Sequence, residues 1–583
     1  MSYFSFHRHG VYAATASLTS LLLLGCQATE AQKKTVATPD FGEHVLIMDP
    51  SMPANEVQQK LDALFEQQES NQFGPERYAV LFKPGVYHNK VQLGFYTQLL
   101  GLGQTPDDVT LQGGIRVEAA WHGGDATQNF WRSVENLSVI PENGTMQWAV
   151  SQAAPLRRLH VRGNMLLDDD SGWSSGGFIA DSLVDQQINS GTQQQWLTRN
   201  STIGSWTNAN WNMVFVGVKN APASKNWPNP PYTVVEQTPV VREKPFLTID
   251  HAGNYSVVVP GLRQNSQGIS WQTQAQNETL LPLDQFYIAK ADTDTAYTIN
   301  MALSKGKHLL LTPGIYKLDA PLHVTQANTV VLGLGIATLQ PVAGNAAMTI
   351  ADVDGVKVGG ILFDAGEENS DVLLQVGDSK NTSSHAQSPI SLHDAFFRVG
   401  GATVGNATDS VIINSNNVIG DNLWVWRADH GDGIGWNTNK TRHGIVVNGD
   451  DVTMYGLFVE HFHDYQTLWN GNRGEVYFYQ SEAPYDVPDQ QSWMNGTVNG
   501  YASYKLADQV THHKAVGMGV YCFFSNNPGV KLNSAIEAPT APDIQFSHVT
   551  SVSLGGTGEI THVLNNQGDK ADEKNFVSRL AHQ

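Results

Sequence analysis

Apolar and polar residues alternate along this chain in short bursts rather than long helical stripes. Runs such as VTLQGGIRVEA, ENLSVI, RRLHVRG, VVLGLG, VKVGGILF, HDAFFRVGG and VTMYGLFVEHF are apolar at alternate positions and close on Gly, Asn or Asp. Each holds about four to six strand-like residues, and they recur roughly every 20 to 25 residues without helices between them. That rhythm predicts a parallel β-helix solenoid. An antiparallel sandwich would show tight two-residue hairpins at regular spacing, and these are scarce. Two stretches do carry a helical period. One is Ala54 to Phe65, with Val57, Leu61, Leu64 and Phe65 on one face; the other lies near Ala296 to Leu303. A short amphipathic helix at such a place would cap the open end of a solenoid against edge pairing.

The two helices introduce two copies of one plan. After the first come FKPGVY and LLGLG; after the second come LTPGIY and VLGLG. Pro84 and Pro313 are 229 positions apart, and Gly101 and Gly333 are 232 apart. Two matched motifs at nearly one offset predict an internal duplication. The expected division is a first β-helix domain over 45–261, a connector over 262–283 and a second β-helix domain over 284–583. The connector expectation rests on the Gln/Asn-rich stretch from Leu262 to Glu278, and the proline-bearing loop Asn220 to Pro231 is expected to pack over a surface.

At the N-terminus, His7, Arg8 and His9 precede an apolar run from Val11 to Leu24, and Leu23-Leu24-Gly25-Cys26 matches a bacterial lipoprotein cleavage site. Residues 1–26 therefore read as a lipoprotein signal peptide with Cys26 as the acylated residue, and 27–44 as a tether. The expected location is the bacterial cell envelope, lipid-anchored at the outer membrane or cell surface, or secreted. Cys522 is the only other cysteine, so the mature chain has no internal disulfide and must be held by burial. The formal charge of −20 argues against nucleic acid and anionic polymers as partners and favours a neutral substrate.

The chemistry concentrates between Gly456 and Pro488. Glu460 and Glu482 stand there among Phe458, Phe462, Tyr465, Trp469, Tyr477, Tyr479 and Tyr485. Carboxyls in so aromatic a setting gain proton affinity, as a general acid at neutral pH requires, and aromatic faces suit sugar rings. The two are 22 residues apart, about one coil, which would bring their backbones within roughly 5 Å on neighbouring strands. A carboxyl separation of about 5 Å suits retention and about 6.5–9.5 Å inversion, and coil spacing alone leaves both open. Leu423 to Trp436 adds Trp424, Trp426 and Trp436 as stacking surfaces, with Asp429, His430 and Asp432 as partners for hydroxyls. Its Asp-rich turn does not match a calcium loop, and His461, His463 and Asp464 lack an evident further metal ligand. Gln152, Gln193, Gln194 and Gln195 are neutral amides that either hold a water or hydroxyl or stack as a ladder inside the solenoid.

These strings resemble glycoside hydrolase family 55, the β-1,3-glucanases or laminarinases. The resemblance runs over nearly the whole mature chain through FKPGVY, QLLGLG, VSQAAPLRRLHVRG, GTQQQWLTRNS, WNMVFVG, LTPGIY, NSNNVIGDNLWVWRADHGDG, GLFVEHFHDYQTLWNG and YFYQSEAPYDVP. It implies an all-β chain of two tandem right-handed parallel β-helices side by side, with the active site in the cleft between them. It also implies hydrolysis of β-1,3-glucan from the non-reducing end with inversion and glucose release, by a monomer needing no metal or organic cofactor. Carried over by position, Glu482 matches the general acid and Glu460 a second active-site carboxylate. Trp426, Asp429 and Tyr485 match sugar contacts, and Gln152 and Gln194, with Gln193 beside them, match residues near the attacking water. Two rival readings are a β-helix polysaccharide lyase, which would need calcium or a basic cluster beside a uronate, and a non-catalytic glycan-binding solenoid, which would have no use for Glu482.

Overall fold

A computed structural model describes residues 39–272, 277–379 and 383–582. The expected signal peptide, its Cys26 and the tether up to residue 38 lie outside the described residues. Seventeen strands from Val45 to Val235 join in one network of parallel pairs. From Phe286 onward a second solenoid forms, with long strands on one sheet and a nine-stranded parallel sheet, Leu322–Val324 to Glu559–Leu564, beside it. Residues one coil apart occupy equal register, so Leu309, Val331, Val358 and Leu392 stack in a column inside the second solenoid. Each such fully buried aliphatic side chain contributes roughly 1.5–3 kcal/mol.

The helices cap both solenoids. Helix α1 spans Ala54–Gln68 and buries Val57, Leu61, Leu64 and Gln68. Phe65 is only half-buried; the stripe at intervals of four, three and four continues to Gln68, whose amide donates to Phe95 O at 2.8 Å. Helix α2 spans Ala296–Ser304 and inserts Ala296, Ile299 and Leu303 into the second core. The repeated Pro-Gly-x-Tyr turns have one physical cause. The Tyr87 hydroxyl sits 2.9 Å from Met48 O and 2.8 Å from Lys83 O, and the Tyr316 hydroxyl sits 2.7 Å from Ala289 O and 3.0 Å from Thr312 O. A Cβ at Gly85 would lie 2.6 Å from Pro50, and one at Gly314 2.6 Å from Ala291, so only glycine fits either turn.

The parallel coils of the first solenoid end at Val235, earlier than the expected boundary at 261. Thr238–Arg242 pairs antiparallel with Leu262–Ser266, and Phe246–Ile249, Tyr255–Val259 and Thr279–Pro282 make a small antiparallel sheet. The stretch 262–283, expected as the connector, holds two strands, Leu262–Ser266 and Thr279–Pro282. Leu247 and Val257 drive this by packing against Leu81 and Leu100 of one solenoid and Leu310 and Leu332 of the other.

Four long strands position the site: β1 Ile419–Arg427, β2 Thr453–Glu460, β3 Gly474–Glu482 and β4 His512–Cys522. Each bends at one left-handed residue, Asn422, Gly456, Phe478 and Gly517 respectively. At Phe478 that conformation costs roughly 1–2 kcal/mol, and burial among Phe458, Tyr455 and Tyr477 offsets it. The corner column faces the first solenoid closely: a Cβ at Gly517 would lie 2.5 Å from Val214. Beside it, Arg157 grips Asp394 with both ends of its guanidinium at 2.8 Å and Asp421 at 2.7 Å. Arg199 also binds Asp421, at 2.9 Å, and holds Glu243 at 2.7 and 2.8 Å. These buried ion pairs fix how one solenoid lies on the other.

Candidate active site

The pleat of β1, β2 and β3 sends two adjacent columns of side chains toward the first solenoid. Trp424, Phe458 and Gln480 are register partners in one column; Trp426, Glu460, Glu482 and Tyr521 are partners in the next. Glu460 and Glu482 are therefore direct neighbours on adjacent strands, at the ends where β2 and β3 leave the sheet. They line a cavity of about 190 Å³. Its other walls come from Thr127, Gln128, Phe130, Gln152, Ser175 and Gln194 of the first solenoid, and from Trp426, Asp429, His430, His461, Tyr485 and Leu554 of the second.

Glu460 is 3 % exposed. Its Oε1 accepts from Gln152 Nε2 and its Oε2 from Trp424 Nε1, both at 2.8 Å. Burial first, and the neighbouring Glu482 second, push its carboxyl well above the usual range. Glu482 accepts from Gln480 Nε2 at 3.0 Å on Oε1 and from the Tyr485 hydroxyl on Oε2. Burial raises its pKa as well, with Asp429 adding to the effect and His461 and Tyr485 opposing it. Asp429 behaves differently. Burial works against its charge, yet the His430 hydrogen bond at 2.9 Å and the charges of His461 and His430 hold it well below the ordinary carboxylate range. On the other edge of the ring, His430 Nε2 meets the Gln72 side-chain amide at 2.6 Å.

His461 completes the constellation. The backbone leaves β2 at this residue with φ of 71°, and Nδ1 donates to Ala483 O at 3.1 Å. Nε2 then faces Glu482 Oε2 at 3.7 Å and Asp429 Oδ1 at 3.9 Å. A site with buried, proton-loving carboxyls beside an ionised one is equipped for general acid chemistry on a neutral ligand. No lysine or arginine is among the residues lining it.

The structure thus brings together Glu460, Glu482, Asp429, Tyr485, Gln152, Gln194 and Trp426. Trp426 sits in the wall at 1 % exposure, with Trp424 nearly parallel at 4.9 Å and Phe73 at 6.3 Å, so the open stacking face expected of it is covered. Trp424 is wholly buried and serves Glu460 through its N–H. Gln193 does not reach the cavity. It is fully buried, and its amide accepts from Gly176 N at 2.7 Å and donates to Val150 O at 3.1 Å, bracing the coil. Gln195 is likewise buried, while Asp432 is exposed outside the cavity. His463 parts from His461, with its ring nitrogens 2.9 Å from Thr441 O and Trp436 O. Among the described residues, no group of three or more His, Cys, Asp and Glu is arranged to hold a metal ion. Sequence reasoning missed Gln480, Gln72 and the Thr127–Phe130 wall; an i, i+2 relation to Glu482 was the one available signal, for Gln480.

The model of the LAM55 pectate lyase-like domain matches residues 286–482. An exo-β-1,3-glucanase of Streptomyces sp. (strain SirexAA-E / ActE) is 51 % identical over 541 residues, covering 92 % of this chain and 89 % of that protein. The structure of sacteLam55A from Streptomyces sp. SirexAA-E superposes with a TM-score of 0.91 at 50 % identity, over 94 % of this chain and 100 % of that one. A glutamate-to-alanine variant of sacteLam55A, solved in complex with glucose, superposes with the same TM-score over 94 % of this chain and 99 % of its own. With relatedness of that depth over nearly its full length, and a pair of carboxyls in register between two solenoids, the chain belongs to glycoside hydrolase family 55.

Proposed function

We propose that this protein hydrolyses β-1,3-glucan from the non-reducing end and releases glucose. The observation that carries this is the pairing of Glu460 and Glu482 in a cavity of about 190 Å³. That is smaller than the roughly 300 Å³ at which drug-sized pockets begin, and it suits one hexose ring at a chain end rather than the middle of a polymer. Glu482, kept protonated by burial, gives its proton to the glycosidic oxygen as the bond to C1 breaks. Water attacks the opposite face with inversion, ordered by Glu460 together with Gln152 and Gln194, and the proton it sheds passes to solvent, balancing the one Glu482 gave to the leaving oxygen. Asp429 and Tyr485 orient the sugar. The relative's name and the glucose complex of its variant support the substrate class. A lyase acting on an acidic polysaccharide fits less well, because the ionised Asp429 would repel a uronate and no lysine or arginine among the described residues lines the cavity to neutralise it.

The protein is further proposed to act as a monomer on the cell envelope, tethered through acylated Cys26. No helix among the described residues is long and apolar enough to cross a membrane. Metabolic labelling with a palmitate analogue checks the anchor, and loss of label in Cys26→Ser is the expected result. For the activity, incubation with laminarin followed by proton NMR should show glucose released first as the α anomer. Ultraviolet-absorbing unsaturated products would instead establish a lyase. Glu482→Gln should lower kcat by about 10²–10⁴-fold while oligosaccharide binding persists; undiminished turnover would remove Glu482 from the acid role.

A further inference from the structure

We propose that a second glucan-binding site lies in the groove between Trp436 and Tyr501, apart from the catalytic cavity; the inference rests on the glucan-hydrolase reading of that cavity. The groove encloses about 420 Å³, more than twice the volume of the cavity holding the carboxyls. Trp436 and Tyr501 are half-buried aromatics on its walls, and Asn437, Lys440, Arg442 and Asp464 supply polar groups around them. Aromatic surface interleaved with amide, cationic and carboxylate hydrogen-bonding groups is the chemistry that holds a neutral sugar chain. Among the described residues Lys440 and Asn437 are exposed and make no side-chain hydrogen bond or ion pair of their own, so their polar atoms are free for a ligand.

The groove is also built rather than incidental. The His463 ring lies 4.4 Å from the Trp436 ring, its Nε2 donates to Trp436 O at 2.9 Å while its Nδ1 faces the Thr441 backbone, and Trp493 Nε1 donates to His463 O at 2.8 Å. Burial pushes the His463 pKa down to about 4, so the ring is a neutral brace at ordinary pH. Beneath it, the buried Arg427 guanidinium binds Gly435 O, Asn439 O, His461 O and Asp486. That hub fixes the same loop that presents Asp429 and His430 to the catalytic cavity. A surface with its aromatics already held loses less freedom on binding. The occupant follows from size. The catalytic cavity accommodates about one hexose, whereas a glucan polymer extends well beyond it, and a groove on the shared loop can retain the polymer near the cleaving end.

The test compares a short and a long substrate. Trp436→Ala and Asn437→Trp are made in the full chain; the second fills the groove from an exposed position without touching the core. Both should keep kcat/KM on laminaritriose within twofold and lose at least fivefold on long-chain laminarin, with matching loss of retardation in laminarin-containing native gels. Equal effects on both substrates in both variants, or no effect in either, would overturn the second site. If the parent enzyme leaves laminaritriose intact, the glucan-hydrolase reading itself fails, whatever the gels show.

Discussion

His461 Nε2 lies 3.7 Å from Glu482 Oε2 while its Nδ1 is committed to Ala483 O. With Nδ1 so held, Nε2 is the ring nitrogen that faces the two carboxyls. Its positive charge opposes the burial that keeps Glu482 protonated. Replacing it with Gln removes the opposing charge, so the proton on Glu482 persists to higher pH. The alkaline limb of kcat/KM for laminaritriose should therefore move to higher pH. A pH series on His461→Gln measures this directly; an unmoved or acid-shifted limb would show that His461 only fills space.

Gln152 reaches across from the first solenoid and donates to Glu460 Oε1 at 2.8 Å. In Gln152→Leu the volume is nearly kept, but a buried carboxyl oxygen loses that donor at a cost of about 1–3 kcal/mol. If Glu460 orders the water, kcat should fall by roughly 10–100-fold, and KM should change far less. Steady-state kinetics on laminarioligosaccharides separate the two. A loss confined to KM would place Gln152 in binding alone.

The seam between the solenoids makes a stability prediction. Asp421 neutralises both Arg157 and Arg199 where all three are essentially sealed from water. Asp421→Asn keeps the shape but removes the carboxylate the two guanidinium groups share, leaving Arg157 with Asp394 and Arg199 with Glu243 alone, so the cost stays below the roughly 3–5 kcal/mol of a fully stranded buried charge. The thermal unfolding midpoint should drop by several degrees and split into two transitions as the solenoids uncouple. Differential scanning calorimetry would show this, and a single unshifted transition would contradict it.

How much of this was legible beforehand follows from what a solenoid does to sequence. One coil equals one register step, so the 22-residue gap between Glu460 and Glu482 translated directly into neighbouring strands. The Pro-Gly-x-Tyr repeat exposed the duplication because each tyrosine must reach two carbonyls across a turn only glycine permits. Contacts between the solenoids left no such mark. Phe73 covering Trp426, Gln72 meeting His430, and Arg157 seeking Asp421 join points distant in sequence with no common period. Gln193 and Gln194 look interchangeable in the string, and only the left-handed Gly176 against which Gln193 folds decides which one turns inward.

His385 offers a stability switch remote from the active site. Its ring is 4 % exposed, clamped between Asp352 Oδ1 and Asp354 Oδ1 at 2.7 Å each, and Ser415 also donates to Asp352. Burial alone would lower its pKa, but hydrogen bonds and charge from Asp354 and Asp352 outweigh that and raise it. A pKa raised on folding adds stability that is complete below the ordinary value of about 6.5 and is lost as pH climbs through the raised one. The thermal midpoint should consequently decline above neutrality in the native protein. In His385→Gln it should start lower than in the native protein at pH 6, and the gap should narrow as pH rises through the raised value. Melting curves across that rise in pH test the sign: a gap that widens with pH would mean the ring sits there uncharged.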